Sequence, residues 1–183
     1  MVLHFNFTKA ATRASIAEQI EAQLSPAQIS AVDATVEKAG VPAYHHHDIG
    51  EVNETIDALD VPERVRNDMR AIYDILAHAE AQVHGCELAH THFHEVGNGS
   101  SIRNTLRICL LVSTLNPKRI TATAVQTGSG QIECEHGVMA VPAPATVAII
   151  ATGIPTCVKL RDGELCTPTS AAIIKHFVQE FDA

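Results

Sequence analysis

The sequence predicts an α+β fold, in which an N-terminal helical part (residues 1–88) precedes a small α/β sandwich-like domain (residues 89–183) with a mixed or antiparallel sheet. Two observations support this prediction. Before residue 88, apolar residues recur at three- and four-residue steps, which is the period of an amphipathic helix. After residue 89, short stretches of alternating apolar and polar residues are interleaved with capped helices. The expected boundary therefore lies near residues 85–90.

The N-terminal part is expected to contain one short strand and three helices. Residues 2–7 alternate between apolar and polar side chains, which predicts the strand. The helices are expected over residues 26–40, 51–59 and 62–85, and the last of them carries a long apolar stripe that predicts a packing surface. Their start and stop signals are Ser25 and Pro26, then Gly40, then Pro62 and finally Gly85.

The C-terminal part is expected to mix strands and helices. Strands are predicted over residues 119–126 and 131–134, and residues 156–160 are expected to be extended. Three helices are predicted. The first begins at Ser100 or Ser101 and runs to Leu115, and the second begins at Pro144 and ends by Gly153. The third follows a Thr167-Pro168 cap and continues through Phe181.

Composition and charge exclude several classes of function. The chain is 46% hydrophobic and 19% charged, which is typical of a globular protein. Its net charge is −8, and the 13 basic residues form no cluster, so a nucleic-acid partner is not expected. No apolar stretch reaches the roughly 20 residues that a membrane span needs, and the start of the chain has no export signal. An odd number of cysteines, 5, fits a reducing compartment, so we expect a cytoplasmic protein.

Histidine is crowded into the middle of the chain, which holds 11 histidines in 183 residues. The run from His90 to Glu95 has histidine at every second position, so an extended backbone would place three imidazoles on one face. Imidazole is a common ligand of nickel- and zinc-type ions. The run therefore predicts a metal site, and the alternative is a set of ordinary polar edge residues. The candidate metal ligands are His45, His46, His47, His90, His92, His94 and His136.

Four further features leave their interpretation open. The segment Gly128-Ser129-Gly130 could cradle a phosphate or could be a hairpin turn between two strands. Thr167 and Thr169 could bind a phosphate or could cap the last helix. Cys134 and His136 would share one face of a strand and could form a second cluster of metal ligands. Residues 45–47 could be metal ligands or could be a solvated linker.

Four stretches carry motifs that occur together in one family: His92-Phe93-His94-Glu95-Val96-Gly97, Cys134-Glu135-His136-Gly137 leading to Val141-Pro142-Ala143-Pro144-Ala145-Thr146, Gly163-Glu164-Leu165-Cys166-Thr167-Pro168-Thr169, and His45-His46-His47 followed by the long helix. In these stretches the chain resembles the nickel-insertion protein family of nickel-pincer cofactor biosynthesis. The resemblance covers roughly residues 44–180, and the motifs taken together are specific.

The resemblance implies a reaction and a set of residues. Family members insert nickel into a pyridinium bisthiocarboxylate mononucleotide, with CTP activating this substrate, so an enzyme of this kind would be a lyase-class nickel insertase, or cyclometallase. By the same resemblance the upstream histidines, the 90–94 run and Glu95 would bind or orient nickel. The residues that would line a nucleotide or substrate cleft are Gly128, Ser129, Gly130, Thr167 and Thr169.

The chain departs from the family pattern in three respects. Residues 1–12 lack the family's aspartate-bearing loop, and Ser100 and Asn104 stand where the family has aspartates. The family's C-terminal domain, which is associated with metal-CTP binding, has no counterpart before Ala183. CTP with a divalent metal is therefore expected only with a missing domain or a partner chain, and the protein itself is expected to form a homo-oligomer or to bind such a partner.

The leading hypothesis is thus a nickel-binding protein that delivers Ni(II) to the pyridinium mononucleotide. Two alternatives are kept. The first is a metal-dependent hydrolase in which Glu95 acts as the base beside His92 and His94. The second is a non-catalytic regulatory paralogue, whose signature would be the replaced aspartates together with the absence of bound metal.

Overall fold

A computed structural model describes residues 1–88, 91, 93, 97–134 and 137–182, and for Cys134 it describes the backbone alone. The described part has an α+β fold, as the sequence predicts. Its elements in chain order are β1 (Val2–Phe5), α1 (Arg13–Glu21), α2 (Pro26–Lys38), α3 (Ile49–Ala58), α4 (Glu63–His84), α5 (Gly99–Leu115), β2 (Arg119–Ala122), β3 (Gly128–Ser129), β4 (Gln131–Cys134), β5 (Gly137–Ala140), α6 (Pro144–Ile150), β6 (Gly163–Glu164), α7 (Pro168–Phe177) and β7 (Glu180–Phe181).

The strands form one parallel sheet and two antiparallel ribbons. The parallel sheet has the order β1-β2-β7, with Leu3 opposite Ile120 and Ala122 opposite Phe181. The ribbons pair β3 with β6 and β4 with β5. Since β1 comes from the start of the chain and β7 from its end, the parallel sheet ties the two ends of the chain together.

The long helix α4 lies at the centre of the helical packing, in contact with α3, α5, α6 and α7. Its apolar stripe is predicted to continue as far as Val83, but Val83 is 39% exposed. The rest of the stripe is buried as predicted, and the buried residues of α4 are Val65, Met69, Ile72, Tyr73, Leu76, Ala77 and Ala79. These residues join a hydrophobic cluster that runs from Leu3 to Phe177 and so draws on both predicted parts. The division of the chain at residues 88 and 89 stays a prediction. No helix in the described ranges has the length and apolar character needed to span a bilayer.

Several predicted helix ends are confirmed by their contacts. Ser25 caps α2 with a reciprocal capping box to Gln28. Gly85 ends α4 at φ 63°, a left-handed conformation that glycine adopts without steric cost. The alternation of residues 2–7 is also confirmed, because Leu3, Phe5 and Phe7 are buried.

Helix α1 was missed, because its nine residues carry only two large apolar side chains, Ile16 and Ile20. Three predictions about elements are wrong. Helix α5 is capped by Asn98, whose Oδ1 accepts from Ser101 N at 2.8 Å, and not by Ser100 or Ser101. Strand β2 ends at Ala122, four residues early. Helix α7 ends at Phe177, because Val178 turns extended and Phe181 joins the parallel sheet instead.

We predict that Ile72→Ala lowers the free energy of unfolding by about 2–5 kcal/mol, since Ile72 is fully buried in α4 and its truncation leaves a cavity. Val83→Ala is the matched control, because Val83 lies on the same helix but is 39% exposed, and it should change stability by less than about 0.5 kcal/mol. Urea denaturation measures both. Equal losses in the two variants would contradict the central packing role of α4.

Candidate metal centre

The first histidine segment, residues 45–47, is hydrogen-bonded through its backbone to one residue inside the second histidine run, Phe93, and to one just after it, Gly97. The His46 amide donates to Gly97 O at 2.8 Å, and the Phe93 amide donates to His47 O at 2.7 Å. His45 and Asn98 form an isolated antiparallel bridge. We call this arrangement the histidine junction, and define it as residues 45–47 together with Phe93, Gly97 and Asn98. It joins stretches that lie about fifty residues apart in the sequence.

Two glycines permit the close approach of the backbones at this junction. A Cβ on Gly97 would lie 2.0 Å from His46 O, and a Cβ on Gly99 would lie 2.0 Å from Pro42 O. Both obstructing atoms belong to the backbone and cannot rotate away. The glycines are therefore required by packing at the junction.

The ring of His46 is fully buried, and both of its nitrogens are hydrogen-bonded. Nδ1 lies 3.0 Å from Gly97 O, and Nε2 lies 2.7 Å from Thr55 Oγ1. A carbonyl oxygen only accepts, so Nδ1 carries the proton, and Nε2 of the neutral ring accepts from the Thr55 hydroxyl. This geometry leaves no ring lone pair for a metal, and it favours a structural role for His46 over the predicted ligand role.

His45 has a different hydrogen-bond pattern. Its Nε2 lies 2.7 Å from Phe93 O, so Nε2 carries the proton and donates it, which leaves the lone pair on Nδ1. Metal-bound histidines commonly hold their second nitrogen in this way, on a backbone carbonyl. The exposed ring of His47 lies beside it, with the two ring centroids 5.1 Å apart. Of the three predicted ligands in this segment, His45 and His47 are thus the two that remain accessible.

Phe93 anchors the second segment of the junction in the core. Its ring is buried and makes an edge contact with Tyr73 of α4, at a centroid distance of 6.1 Å. The Tyr73 hydroxyl forms hydrogen bonds with Ser101 and Thr105 of α5, and its burial raises the pKa of Tyr73. Thr91 is buried as well. Thr91 and Phe93, two positions apart, are therefore both buried in the core.

The remaining predicted ligands, His90, His92, His94 and His136, lie outside the described residues, and so does Glu95. Within the part of the chain that the structure does describe, no three His, Cys, Asp or Glu side chains gather as a metal-binding group. The described residues therefore supply a scaffold and two accessible imidazoles, and a full set of ligands stays a prediction.

Thiols contribute little to the described centre. Cys109 and Cys166 are buried, as the sequence predicts, and Cys86, Cys109, Cys157 and Cys166 are all free. Burial raises the pKa of Cys109 well above its usual range and raises that of Cys166 to about 12. Metals bind the thiolate form, so these two side chains are unsuited to bind nickel at neutral pH. The side chain of Cys134 lies outside the described residues.

The segment Gly128–Gly130 is not a simple hairpin turn. Gly128 and Ser129 form β3, which pairs with β6, and Gly128 has a φ of 87°. A Cβ there would lie 1.8 Å from Gly163 O, so glycine is needed for the contact between the two strands. The hairpin prediction is therefore wrong, and the predicted phosphate cradle is not tested by these contacts.

Thr167 is confirmed as a helix cap, since its Oγ1 accepts from Ser170 N at 3.2 Å at the start of α7. Thr169 is buried in the first turn of that helix. The predicted role of both residues in a nucleotide or substrate cleft stays a prediction. Ser100 and Asn104, where the resemblance leads us to expect aspartates, are exposed one turn apart at the start of α5.

Thr55 and Glu51 were missed by the sequence reasoning. Thr55 bonds the His46 ring, and Glu51 Oε2 accepts from His47 N at 2.6 Å. Asp48 followed by Glu51 is a helix-start signal that places the start of α3 at residue 49, next to the histidines. The hydrogen bond between Thr55 and the His46 ring leaves no local signal in the sequence, because it depends on how the chain folds back on itself.

An imidazole held through a backbone carbonyl, with a second imidazole beside it, fits a protein that handles a borderline transition metal, although two imidazoles alone do not define that class. Comparison with known proteins gives the particular family. The sequence profile of the family described as nickel insertion protein matches residues 4–183. The chain belongs to this family.

Relatives with this description share substantial sequence identity with the chain. The pyridinium-3,5-bisthiocarboxylic acid mononucleotide nickel insertion protein of Staphylococcus epidermidis is 37% identical over 139 residues, which is 76% of this chain and 35% of the relative. The protein of the same name from Clostridium acetobutylicum is 40% identical over 131 residues, which is 72% of this chain and 31% of the relative. The chain thus spans about a third of the length of these curated relatives. No solved structure gives a significant match.

We predict that Gly97→Ala destabilises the protein by about 1–3 kcal/mol, because its Cβ would overlap the His46 carbonyl. Gly50→Ala in α3 is the comparison, since its added Cβ would lie 3.0 Å from a side-chain oxygen, Asp48 Oδ1, and not 2.0 Å from a backbone atom. That oxygen also accepts from Glu51 N at the start of α3, so a small loss of stability is expected there too, below that of Gly97→Ala. Thermal unfolding measures both variants. A Gly97→Ala protein as stable as the Gly50→Ala protein would show that the backbones are not in contact at the junction.

Proposed function

We propose that this chain binds Ni(II) with histidine imidazoles and delivers it to a pyridinium mononucleotide, as the names of its relatives describe for those proteins. Membership of the nickel insertion family supports this proposal and favours it over the hydrolase alternative. Nickel is here the substrate that the protein carries, and the pyridinium ring is the acceptor. CTP binding, a partner chain, self-association and a cytoplasmic location stay predictions.

The state of His45 is the observation that carries the proposal. Its Nε2 proton is bound to Phe93 O, so Nδ1 can donate a lone pair to nickel without any change of tautomer. A hydrogen bond of this kind also makes the imidazole a better electron donor. His47 lies beside it, and its exposed ring is free to turn toward the same ion.

The junction also supports a role for the second histidine run. Consecutive Cα atoms lie about 3.8 Å apart, so the backbones of His92 and His94 adjoin Phe93, which is itself bonded to His47. We therefore propose that ligands from both runs, together with His136, complete the nickel site. Glu95 is proposed to orient one imidazole or to balance the charge of the ion.

Nickel binding should depend steeply on pH. Imidazoles titrate at about pH 6.5 in short peptides, and a protonated ring cannot bind a metal. We expect the affinity of untagged protein for Ni(II) to fall by more than about tenfold between pH 8 and pH 5.5, as measured by isothermal titration calorimetry. An affinity that is the same at both pH values would exclude imidazole ligands.

Replacing His45 should weaken nickel binding without unfolding the protein. We expect His45→Ala to raise the dissociation constant for Ni(II) by about tenfold or more, because one imidazole is lost. His78→Ala is the matched control, since His78 is exposed on α4 and, among the described residues, its polar contacts stay within its own helix, with the backbone oxygen and the carboxylate of Asp74. Wild-type nickel affinity in His45→Ala, measured at pH 8, would remove His45 from the site.

A further inference from the structure

The buried ring of His46 is held from three directions. Gly97 O and Thr55 Oγ1 bind its two nitrogens, and the Tyr44 ring stacks on it at a centroid distance of 4.7 Å. These contacts leave neither ring nitrogen of His46 free to bind a metal. They fix the ring in one tautomer and one orientation, at the point where the two histidine segments meet.

Helix α3 supports this ring and also the backbone of the next residue. Thr55 lies on the buried face of α3, beside Val52 and Ile56, which are fully buried in the core. One turn earlier, Glu51 accepts a hydrogen bond from the His47 amide. A single well-packed helix therefore holds the segment at two successive residues.

The fixed ring determines which histidines face outward. In extended backbone, successive side chains point to opposite faces, so the burial of His46 turns His45 and His47 to the other side. A slip of one residue would bury His45 or His47 in place of His46. An apolar side chain at position 46 could fill the same space. It would not favour this register over one shifted by one residue, whereas a ring whose two nitrogens must both be hydrogen-bonded does.

We infer that His46 and Thr55 are positioning residues for nickel binding. The hydrogen bonds between the His46 ring and Gly97 and Thr55 set the register of the histidine junction, and that register places His45 Nε2 on Phe93 O, which leaves the lone pair of Nδ1 for nickel. This inference rests on the proposed function and assigns to it two residues that bind no nickel themselves. Thr55 acts by holding the His46 ring, and His46 acts by holding the backbone of residues 45–47 in register.

The test removes the Thr55 hydroxyl and keeps the shape of the side chain. Thr55→Val leaves His46 Nε2 buried without a donor, and we expect the dissociation constant for Ni(II) to rise about tenfold or more. Thr55→Ser restores the hydroxyl and should return the affinity to near the wild-type value. Thr123→Val is the matched control, because the Thr123 hydroxyl accepts from Phe7 N at 2.8 Å, next to the parallel sheet. It should lower the melting temperature and leave nickel affinity unchanged.

A second readout needs no metal. Long-range ¹H–¹⁵N spectra of the histidine rings report which nitrogen carries the proton. In the wild-type protein we expect the Nδ1–H form for His46 and the Nε2–H form for His45. In Thr55→Val, His45 should lose its preference for the Nε2–H form, and in Thr123→Val it should keep it.

The outcomes separate this inference from the proposed function. A Thr55→Val protein that melts earlier but keeps both wild-type nickel affinity and the His45 tautomer would overturn it, and would leave His46 a structural residue only. If the wild-type protein binds no nickel, the proposed function fails. The tautomer of His45 in Thr55→Val then decides the positioning role by itself: a changed tautomer supports it, and an unchanged one rejects it.

Discussion

A few hydrogen bonds hold residues 45–47 against Phe93, inside the second histidine run, and Gly97, just after it, and the proposed nickel site depends on them. Three of them run between backbone or ring groups of His46 and His47 and the backbone of Phe93 and Gly97. Each such bond contributes only about 0.5–1.5 kcal/mol, so none of them is strong alone. Their effect is geometric, because together they bring two histidine segments that are distant in the sequence to one place.

The fold makes this contact possible by placing a rigid helix behind each segment. Helix α3 follows the first segment directly and holds it through Thr55 and Glu51, while Phe93 of the second is anchored on Tyr73 of α4. Helices α3 and α4 pack against each other, and α5 begins where the second segment ends. The imidazoles therefore sit on a preorganised frame, which lowers the entropy lost when a metal binds.

The sequence predicted the α+β class, most helix starts and the alternation of residues 2–7, because these depend on local periodicity and capping residues. The family could also be read from its motifs. The roles within the first histidine segment could not, since three consecutive histidines look alike until the fold buries one of them beside Thr55. The end of α7 was likewise unpredictable, because its last residues leave the helix to pair with a strand some sixty positions earlier.

Nickel K-edge X-ray absorption on protein loaded with one equivalent of Ni(II) tests the central claim most directly, because outer-shell scattering counts the imidazoles bound to the metal. The account predicts a spectrum with several imidazole ligands in the wild-type protein and one fewer in His45→Ala. A site made only of oxygen ligands, or a spectrum that His45→Ala leaves unchanged, would contradict it.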